Sequence, residues 1–299
     1  MTTPLHLAIG AFDGVHLGHR AVLHSAREAA RADGGIVGVL TYDPHPSKVL
    51  RPEAAVPLIF TRSQKDERLT EAGAQLVHHE KFDRAHAGIE AADFPKWLKE
   101  AFPGLRSLHV GSNFQYGRGR TGNGETLIAH GAAEGLGVRL VAAVSLGEET
   151  VSSSRIRQCL AAGDLALANA MLLRPYEAEG VIIGGRRLGR TIGFPTVNLA
   201  WEPELRPAYG VYAVEVIFNG EALPAVANYG QRPTVESGPV APLLEAHVLR
   251  GTAPTTGDAV RVRWGRRLRA EQKFADLASL QAQIAKDSAQ AKQALGLLG

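Results

Sequence analysis

The stretch GAFDGVHLGHR, residues 10–20, decides the fold of the first half of the chain. It follows the apolar run LHLAI and leads into LGHRAVLHSAREAARAD, whose apolar residues recur at helical spacing. A strand, a glycine-containing turn and a helix in this order open a βαβ unit. His16 and His19 stand three residues apart at the start of the helix, so the spacing places both imidazoles on one face.

The start of this predicted helix suits a phosphate group. Backbone N–H groups there lack helical partners, and the positive end of the helix dipole attracts anions. Gly18 lacks a side chain, which allows a ligand to approach the helix closely. Two histidines alone would indicate only a polar helix surface, but with the strand and the glycine turn they favour a nucleotide triphosphate site.

The rest of the first half repeats the same rhythm of strand and helix. With the first strand at residues 5–9, further strands are predicted at residues 36–42, 76–79, 107–110 and 138–144, with amphipathic segments between them. This pattern predicts an α/β, doubly wound parallel sheet of Rossmann-like type. Gly34 and Gly35 are expected to close the first helix, and Thr61 with Ser63 to open another.

The second half has a different pattern of predicted secondary structure, which indicates a second domain. Residues 152–173 predict two short helices broken at Gly163 and Asp164. From Arg174 onward, short strands separated by Gly and Pro turns predict an antiparallel β-barrel or sandwich, and residues 274–295 predict a final helix packed on it. We therefore expect domains at residues 1–172 and 173–299.

Composition limits the classes of function. The chain has 299 residues, 45% of them hydrophobic, and a formal charge of +3, which implies no large nucleic-acid surface. No apolar run approaches the length of a membrane span. The single cysteine, Cys159, has no partner for an internal disulfide. We expect a cytoplasmic protein that binds small molecules rather than nucleic acid or membranes; the sequence does not give its oligomeric state.

The HLGH motif resembles the HxGH signature of the nucleotidyltransferases, and GAFDGVHLGHR resembles their flavin adenylyltransferase branch. The resemblance implies that His16 and His19 hold ATP phosphates while the phosphate of FMN attacks the α-phosphorus and pyrophosphate leaves. Such a transfer needs alignment and charge neutralisation more than covalent catalysis. Other residues of the segment, implied to bind the nucleotide, are Gly10, Phe12, Asp13 and Gly18.

Three further segments extend this resemblance. TYDPHPSKVL resembles the DPHP loop of the family, which implies that Asp43 and His45 bind the flavin. VGSNFQYG resembles a motif in which Asn113 contacts ATP and Phe114 and Tyr116 shape the flavin side. SSSRIR resembles a motif whose polar groups face the triphosphate at a helix start. There the implied nucleotide-binding residues are Ser152, Ser153, Ser154 and Arg155.

The order of motifs in the second half closely resembles riboflavin kinase, a six-stranded barrel. Pro195-Thr196-Val197-Asn198 corresponds to the PTAN motif of that family. Thr196 and Asn198 project to the same side of an extended strand and offer the hard oxygen ligands that Mg²⁺ prefers, in company with ATP phosphates. The segment GGRRLGR has flexible backbone and cationic side chains but no Walker lysine, so a phosphate site here must be of another kind; the resemblance implies nucleotide binding by Gly184 and Arg190.

LEAHVL, residues 244–249, carries the implied catalytic base of the kinase. Alternation places Leu244, Ala246 and Val248 on the apolar face and Glu245 on the other. By resemblance, Glu245 takes the proton of the ribityl 5′-hydroxyl as it attacks the γ-phosphorus. The following loop, residues 250–258, departs from the family pattern, so its contribution to ligand binding is left open. The whole resemblance implies one chain that makes FMN from riboflavin and FAD from FMN.

Three other interpretations remain open on sequence alone. Residues 117–122 fit the dinucleotide pattern GxGxxG, but two arginines crowd the turn and no acidic residue ends the next strand, so a dehydrogenase is disfavoured. A nucleotidyltransferase for another metabolite, with a regulatory barrel, is opposed by the kinase-like motifs. A nucleic-acid-binding protein using its basic segments lacks the aromatic residues that usually accompany them.

Overall fold

The structure, a computed structural model, describes residues 3–184, 193–231 and 242–297. Its contacts divide the chain into two compact units, Met1–Ser153 and Ser154–Gly299. The first unit contains a parallel five-stranded sheet, and the second contains a closed six-stranded antiparallel barrel followed by a helix. The fold class predicted from the sequence is confirmed.

The sheet of the first unit has the strand order β3-β2-β1-β4-β5, with every pair parallel. Its strands are β1 (Leu5–Ile9), β2 (Ile36–Asp43), β3 (Leu76–Lys81), β4 (Leu105–Gly111) and β5 (Gly137–Val141). The chain runs outward in opposite directions from β1 and β4, so these two strands form a topological switch point. In such sheets ligands bind in the crevice beyond the carboxyl ends of the strands.

Helices cover both faces of this sheet. They are α1 (Leu17–Asp33), α2 (Pro46–Leu50), α3 (Arg62–Glu71), α4 (Arg84–Ala87), α5 (Phe94–Ala101) and α6 (Gly124–Ala133). Leu7 of β1 packs in one hydrophobic cluster with Leu98, while the adjacent Ala8 packs in a second cluster with Leu23. Successive residues of a strand point to opposite faces, so the sheet is buried on both sides as a doubly wound sheet must be.

The predicted helix ends are confirmed where capping residues define them. Gly34 ends α1 in the left-handed conformation, with φ of 73°, and its N–H bonds to the carbonyl of Ala30. Thr61 and Gln64 form a reciprocal capping box at the start of α3.

One strand is shorter than predicted: β5 ends at Val141 because β4, the strand it pairs with, ends at Gly111. A two-stranded ribbon, β6 (Ser145–Leu146) and β7 (Glu149–Thr150), follows.

The barrel of the second unit closes in the order β10-β11-β12-β9-β8-β13, with β13 paired to β10. The barrel strands are β8 (Tyr176–Ile183), β9 (Val197–Ala200), β10 (Gly210–Phe218), β11 (Glu221–Gly230), β12 (Leu243–Val248) and β13 (Ala259–Arg269). The helices α7 (Ser153–Ala162) and α8 (Leu165–Leu172) precede the barrel in the chain, and α9 (Leu277–Ala294) follows it. The barrel interior combines large and small side chains: Trp264 and Tyr212 meet edge to face at 4.8 Å, and Ala225 and Ala227 are fully buried.

Helix α8 packs against the barrel through Asn169. The Asn169 amide donates to the carbonyl of Trp264 at 2.8 Å and accepts from the backbone N–H of Tyr176 at 2.8 Å. These contacts group α8 with the strands of the second unit. The boundary between the two compact units therefore lies between residues 153 and 154. The domain boundary predicted from the sequence lies after residue 172. The domain limits 1–172 and 173–299 stay a prediction. In the described ranges, no helix has both the length and the apolar character needed to cross a membrane.

Candidate active sites

The loop between β1 and α1 is held in an unusual backbone conformation. Phe12 and Val15 are almost completely buried and have positive φ angles of 48° and 41°. Such a conformation costs about 1–3 kcal/mol per residue, so surrounding contacts must enforce it. The buried Asp13 carboxylate accepts a hydrogen bond from the Ile59 N–H at 2.9 Å, and Ser153 Oγ donates to the Asp13 carbonyl at 2.7 Å. The loop is therefore fixed from two sides.

The two histidines of the HLGH motif meet at the start of α1. His16 is the N-cap residue, and its Nδ1 accepts a hydrogen bond from the backbone N–H of His19 at 3.4 Å. The two rings stack with centroids 3.7 Å apart and planes 17° apart. When neutral, a His16 ring that accepts at Nδ1 carries its proton on Nε2. Both rings thus sit at the positive end of the helix dipole, where an anion is favoured.

His19 is a buried, neutral imidazole with a ring nitrogen that is unsatisfied within the described ranges. Burial, together with the nearby His16 and Lys65, holds the pKa of His19 well below its usual value of 6.5. Its Nδ1 is buried and has no hydrogen-bond partner among the described residues. An unpartnered buried nitrogen costs free energy, and a phosphate oxygen would restore the missing hydrogen bond.

Gly18 has a packing role that the sequence did not reveal. A Cβ atom at this position would lie 3.2 Å from Cε1 and 3.3 Å from Nδ1 of His16. The missing side chain therefore leaves room for the imidazole of His16. Its predicted role in close approach of the nucleotide is a separate matter and stays a prediction.

An aromatic cavity of about 590 Å³ opens in the same unit. Of the four predicted flavin-binding residues, it is lined by His45, Phe114 and Tyr116. Phe114 and Tyr116 stack with centroids 5.9 Å apart. The fourth, Asp43, does not line the cavity; its exposed carboxylate pairs with Arg62 at 3.0 Å. The volume falls in the range of small-molecule sites, about 300–1,000 Å³.

Sequence reasoning missed the other aromatic walls of this cavity. Tyr42, Phe82 and Phe94 also line it. They come from the end of β2, the segment after β3 and the start of α5, and each stands in an ordinary apolar or mixed context. Only the fold brings them together, so no sequence signal singled them out.

The glycine pattern at residues 117–122 forms part of this cavity rather than a dinucleotide turn. Tyr116 and Gly122 bridge through two backbone hydrogen bonds of 3.1 and 2.9 Å. Gly117, Gly119 and Arg120 line the cavity. Helix α6 begins at Gly124, after the pattern, whereas the helix of a dinucleotide-binding turn begins within it. This geometry speaks against the dehydrogenase interpretation.

The remaining predicted nucleotide-binding residues flank the carboxyl edge of the sheet or begin a helix. Gly10 directly follows β1, and Asn113 lies exposed two residues after β4, at the switch point. Ser152 and Ser153 close the first unit, and Ser153 starts α7. Ser154 and Arg155 lie in the first turn of α7 and are counted with the second unit.

The predicted kinase residues lie in register on neighbouring barrel strands. Asn198 of β9 pairs with Glu245 of β12, and Glu245 pairs in turn with Asn228 of β11. Directly opposed residues of antiparallel strands share one face. Leu244 and Ala246 are buried, so the predicted alternation of β12 is confirmed and Glu245 lies on the opposite face.

Asn198 carries an unpartnered oxygen. The residue is 5% exposed, and its Oδ1 has no hydrogen-bond partner within the described part of the chain. Thr196, the second predicted metal ligand, is exposed and lies one residue before β9. An orphaned amide oxygen beside an exposed hydroxyl is compatible with the hard ligand set of Mg²⁺.

His247 fixes the segment that carries Thr196. Its Nδ1 donates to the carbonyl oxygen of Pro195 at 2.7 Å, and its ring meets Phe194 edge to face at 5.5 Å. Gly184 is exposed directly after β8. The other predicted nucleotide-binding residue of this segment, Arg190, lies outside the described residues. Sequence reasoning did not single out His247.

Two further features adjoin the kinase residues. Glu271 accepts a hydrogen bond from the Asn228 amide at 3.4 Å and lies so close to Gly230 that a Cβ there would overlap its carboxylate. The atypical loop after β12 contains a compact turn in which the Asp258 carboxylate accepts from the N–H of Thr255 at 2.7 Å. The turn also pairs with β8: the Gly257 N–H donates to the Ile182 carbonyl at 2.9 Å, and the Asp258 carbonyl accepts from the Ile182 N–H at 2.8 Å.

Comparisons with known proteins assign a family to each half of the chain. The family model for FAD synthetase matches residues 2–155, and the model for riboflavin kinase matches residues 172–295. Relatives described as bifunctional riboflavin kinase/FMN adenylyltransferase include those of Escherichia coli (strain K12), 37% identical over 97% of this chain and 93% of the relative, and Bacillus subtilis (strain 168), 34% identical over 95% and 90%. A crystal structure of a macrolide-efflux protein from Streptococcus pneumoniae is 26% identical, with a TM-score of 0.88 over 98% of this chain and 95% of that one.

Fold, sites and family matches define a two-domain enzyme in which a nucleotidyltransferase is joined to a flavin kinase. Both matches lie on one chain, and the relatives align along nearly all of it. The chain belongs to the bifunctional riboflavin kinase/FMN adenylyltransferase family.

Proposed function

We propose that this chain phosphorylates riboflavin to FMN in the barrel and then adenylylates FMN to FAD in the parallel-sheet unit, using ATP in both steps. The observation that carries the proposal is the pairing of a phosphate-type site, the stacked His16 and His19 at the start of α1, with an aromatic cavity of about 590 Å³ in the same unit. A nucleotide and a flat, three-ring flavin are the ligands that these two features suit.

In the kinase step, Glu245 is the general base. It takes the proton of the ribityl 5′-hydroxyl, whose oxygen bonds to the γ-phosphorus while the bond from that phosphorus to the β-phosphate oxygen breaks and ADP leaves. The register of Glu245 opposite Asn198 supports this role, because it sets the base beside one of the two predicted metal ligands.

Thr196 and Asn198 are the residues that would hold Mg²⁺. The buried, unpartnered Oδ1 of Asn198 fits such an ion, and the hydrogen bond of His247 to Pro195 steadies the backbone next to Thr196. When bound with ATP, Mg²⁺ neutralises charge that develops on the phosphates. Neutral ligands bind the ion weakly by themselves, so metal and nucleotide should bind together.

In the adenylyl step, an oxygen of the FMN phosphate bonds to the α-phosphorus of ATP. The bond from that phosphorus to the β-phosphate oxygen breaks, and pyrophosphate leaves with the electron pair. His16 and His19 donate hydrogen bonds to phosphate oxygens as their charge grows. Asn113, Ser152, Ser153, Ser154 and Arg155 complete the nucleotide contacts, and Phe114, Tyr116 and His45 bound the flavin.

We also propose that the enzyme acts in the cytoplasm. Its sole cysteine, Cys159, is buried and has no second cysteine in the chain with which to form a disulfide, which suits a reducing compartment.

The test is to incubate the full chain with riboflavin, Mg²⁺ and ATP and to separate the flavins by chromatography. FMN should appear first and FAD later, with pyrophosphate formed in step with FAD. A second incubation, with FMN in place of riboflavin, should give FAD directly. If no FMN forms from riboflavin but FAD still forms from FMN, the kinase assignment is wrong. If FAD forms in neither incubation, the adenylyltransferase assignment is wrong.

A further inference from the structure

Lys65 is a partly buried cation at the carboxyl edge of the parallel sheet. It lies in the first turn of α3 and is half-buried. Its ammonium group donates to Thr41 Oγ1 at 3.1 Å, and among the described residues it has no further hydrogen bond and no ion pair. An ammonium group has three N–H donors, so two of them remain for a ligand.

The position of Lys65 is fixed relative to the loop that carries the HLGH motif. Thr41, fully buried near the end of β2, donates its own hydroxyl to the Ala11 carbonyl at 3.0 Å. Two successive hydrogen bonds therefore join the Lys65 ammonium to the backbone between Gly10 and Phe12. The parallel strands β1 and β2 are neighbours, so Lys65 and this loop share one edge of the sheet.

Electrostatic effects agree with this geometry. Burial and His16 lower the pKa of His19, and the charge of Lys65 adds to this effect, in agreement with a place for Lys65 at the same edge of the sheet. Burial lowers the pKa of Lys65 from its usual 10.5, while Asp13, Asp66 and Asp43 raise it and Arg62 lowers it. The neighbouring carboxylates offset only part of the free-energy cost of burying the ammonium group, so binding of an additional anion would stabilise it.

The two arginines of α3 are engaged with neighbours of their own. Arg62 pairs with Asp43 at 3.0 Å, and Arg68 donates to the Gln64 carbonyl at 2.8 Å and stacks on Phe60. We propose that Lys65 is a further catalytic residue of the adenylyl step: it donates to non-bridging oxygens of the ATP triphosphate beside His19 and neutralises their charge as pyrophosphate leaves. This role rests on the adenylyltransferase function proposed above.

The test compares Lys65→Met, Lys65→Arg and Lys96→Met in the full chain. Lys96 is an exposed lysine on α5 and serves as a matched loss of charge. With FMN as substrate, Lys65→Met should lower kcat/KM for ATP by about 10²–10³-fold, as expected for one lost transition-state donor, while riboflavin phosphorylation stays unchanged. Lys96→Met should leave both reactions unchanged. Calorimetric titration with pyrophosphate should show weaker binding to Lys65→Met.

A pH profile separates charge from structure. The kcat/KM for ATP reports the free enzyme, so the unsubstituted chain should lose FAD formation at alkaline pH as Lys65 deprotonates, and Lys65→Arg should move this loss to higher pH. Thr41→Val removes the hydroxyl anchor but leaves the ammonium, so it should impair FAD formation much less than Lys65→Met.

Two results would overturn the proposal. One is a folded Lys65→Met variant with FAD formation and pyrophosphate binding equal to those of the unsubstituted chain. The other is equal loss in Thr41→Val and Lys65→Met with an unchanged pH profile in Lys65→Arg, which would make Lys65 a structural anchor. If the unsubstituted chain itself makes no FAD from FMN, the adenylyltransferase function fails instead.

Discussion

Asn198 and Glu245 lie directly opposite each other on the adjacent antiparallel strands β9 and β12. Side chains in such a pair have Cβ atoms about 4.5–5.5 Å apart on one face of the sheet. The predicted metal ligand and the predicted base are therefore neighbours, and each can be substituted separately.

Glu245→Gln should lower the rate of FMN formation by about 10²–10⁴-fold, because the amide cannot accept the proton of the ribityl hydroxyl. FAD formation from supplied FMN should be unchanged, since it takes place in the other unit. Initial rates of both reactions check this, with Glu221→Gln, an exposed carboxylate on β11, as the control. Equal loss of both activities would contradict the assignment.

Asn198→Ala should raise the Mg²⁺ concentration needed for half-maximal kinase activity, because it removes a hard oxygen ligand. Asn198→Asp keeps an oxygen and adds a negative charge, so it should lower that concentration relative to Asn198→Ala. Mg²⁺ titrations of initial rate at fixed ATP measure the effect. Identical titration curves for all three proteins would exclude Asn198 as a ligand.

His16→Ala combined with His19→Ala should stop the pathway at FMN. Each lost donor is worth about 2.7–4 kcal/mol in a comparable transition state, so the double variant should make no detectable FAD. Chromatography of a riboflavin, Mg²⁺ and ATP incubation should show FMN accumulating at the normal rate. A folded double variant that still forms FAD quickly would remove the two histidines from the phosphate site.

A fragment of residues 154–299 should unfold at a higher temperature than a fragment of residues 174–299. The shorter fragment lacks the Asn169 bonds to Trp264 and Tyr176 and uncovers barrel surface, and each lost buried hydrogen bond costs about 1–3 kcal/mol. Circular dichroism on heating measures both fragments, and an FMN assay shows whether the shorter one keeps kinase activity. Equal melting temperatures would mean that α7 and α8 do not stabilise the barrel.

His109 should make the folded chain less stable in mild acid. It is fully buried between the hydroxyls of Ser25 and Ser107, and burial, assisted by His6 and Arg139, lowers its pKa to about 4. The unfolded chain binds this proton below about pH 6.5, so the contribution of neutral His109 is complete above that pH and disappears as the pH falls toward 4.

Between pH 7.5 and 5 this single group should remove about 2 kcal/mol from the free energy of unfolding. Urea titrations at both pH values should show a smaller loss in His109→Gln than in the unsubstituted chain. The exposed His24 provides the control substitution, His24→Gln. If His109→Gln and the unsubstituted chain lose equal stability, His109 is not the titrating group.

Local signals were sufficient for much of the fold. The predicted strand at residues 5–9 matches β1, and the segment GVYAVEVIF matches β10, because apolar runs bounded by turn residues mark buried strands clearly. Gly34 and Thr61 set helix ends through backbone geometry that depends on few neighbours. Local patterns predicted only an antiparallel barrel or sandwich for the second half. The expectation of a six-stranded kinase barrel came from the resemblance of its motifs to riboflavin kinase.

What the sequence could not give depends on packing between distant segments. Lys65 in RSQKDERLT has the pattern of any solvated helix, and only its hydrogen bond to Thr41 distinguishes it. The apolar segment LALANAML predicts a buried helix but not its partner, which proves to be the barrel. The same holds for Tyr42 and Phe82, whose place in one cavity depends on the whole sheet.

The left-handed backbone at Phe12 and Val15 has a consequence for how nucleotide arrives. Contacts within the protein, from Asp13 to Ile59 and from Ser153 to Asp13, already enforce this conformation. Ordering a flexible loop of this kind during binding would cost about 1–2 kcal/mol of conformational entropy per residue. Here that entropy is lost once, when the chain folds, so the nucleotide proposed to bind at this loop would not lose affinity to ordering it.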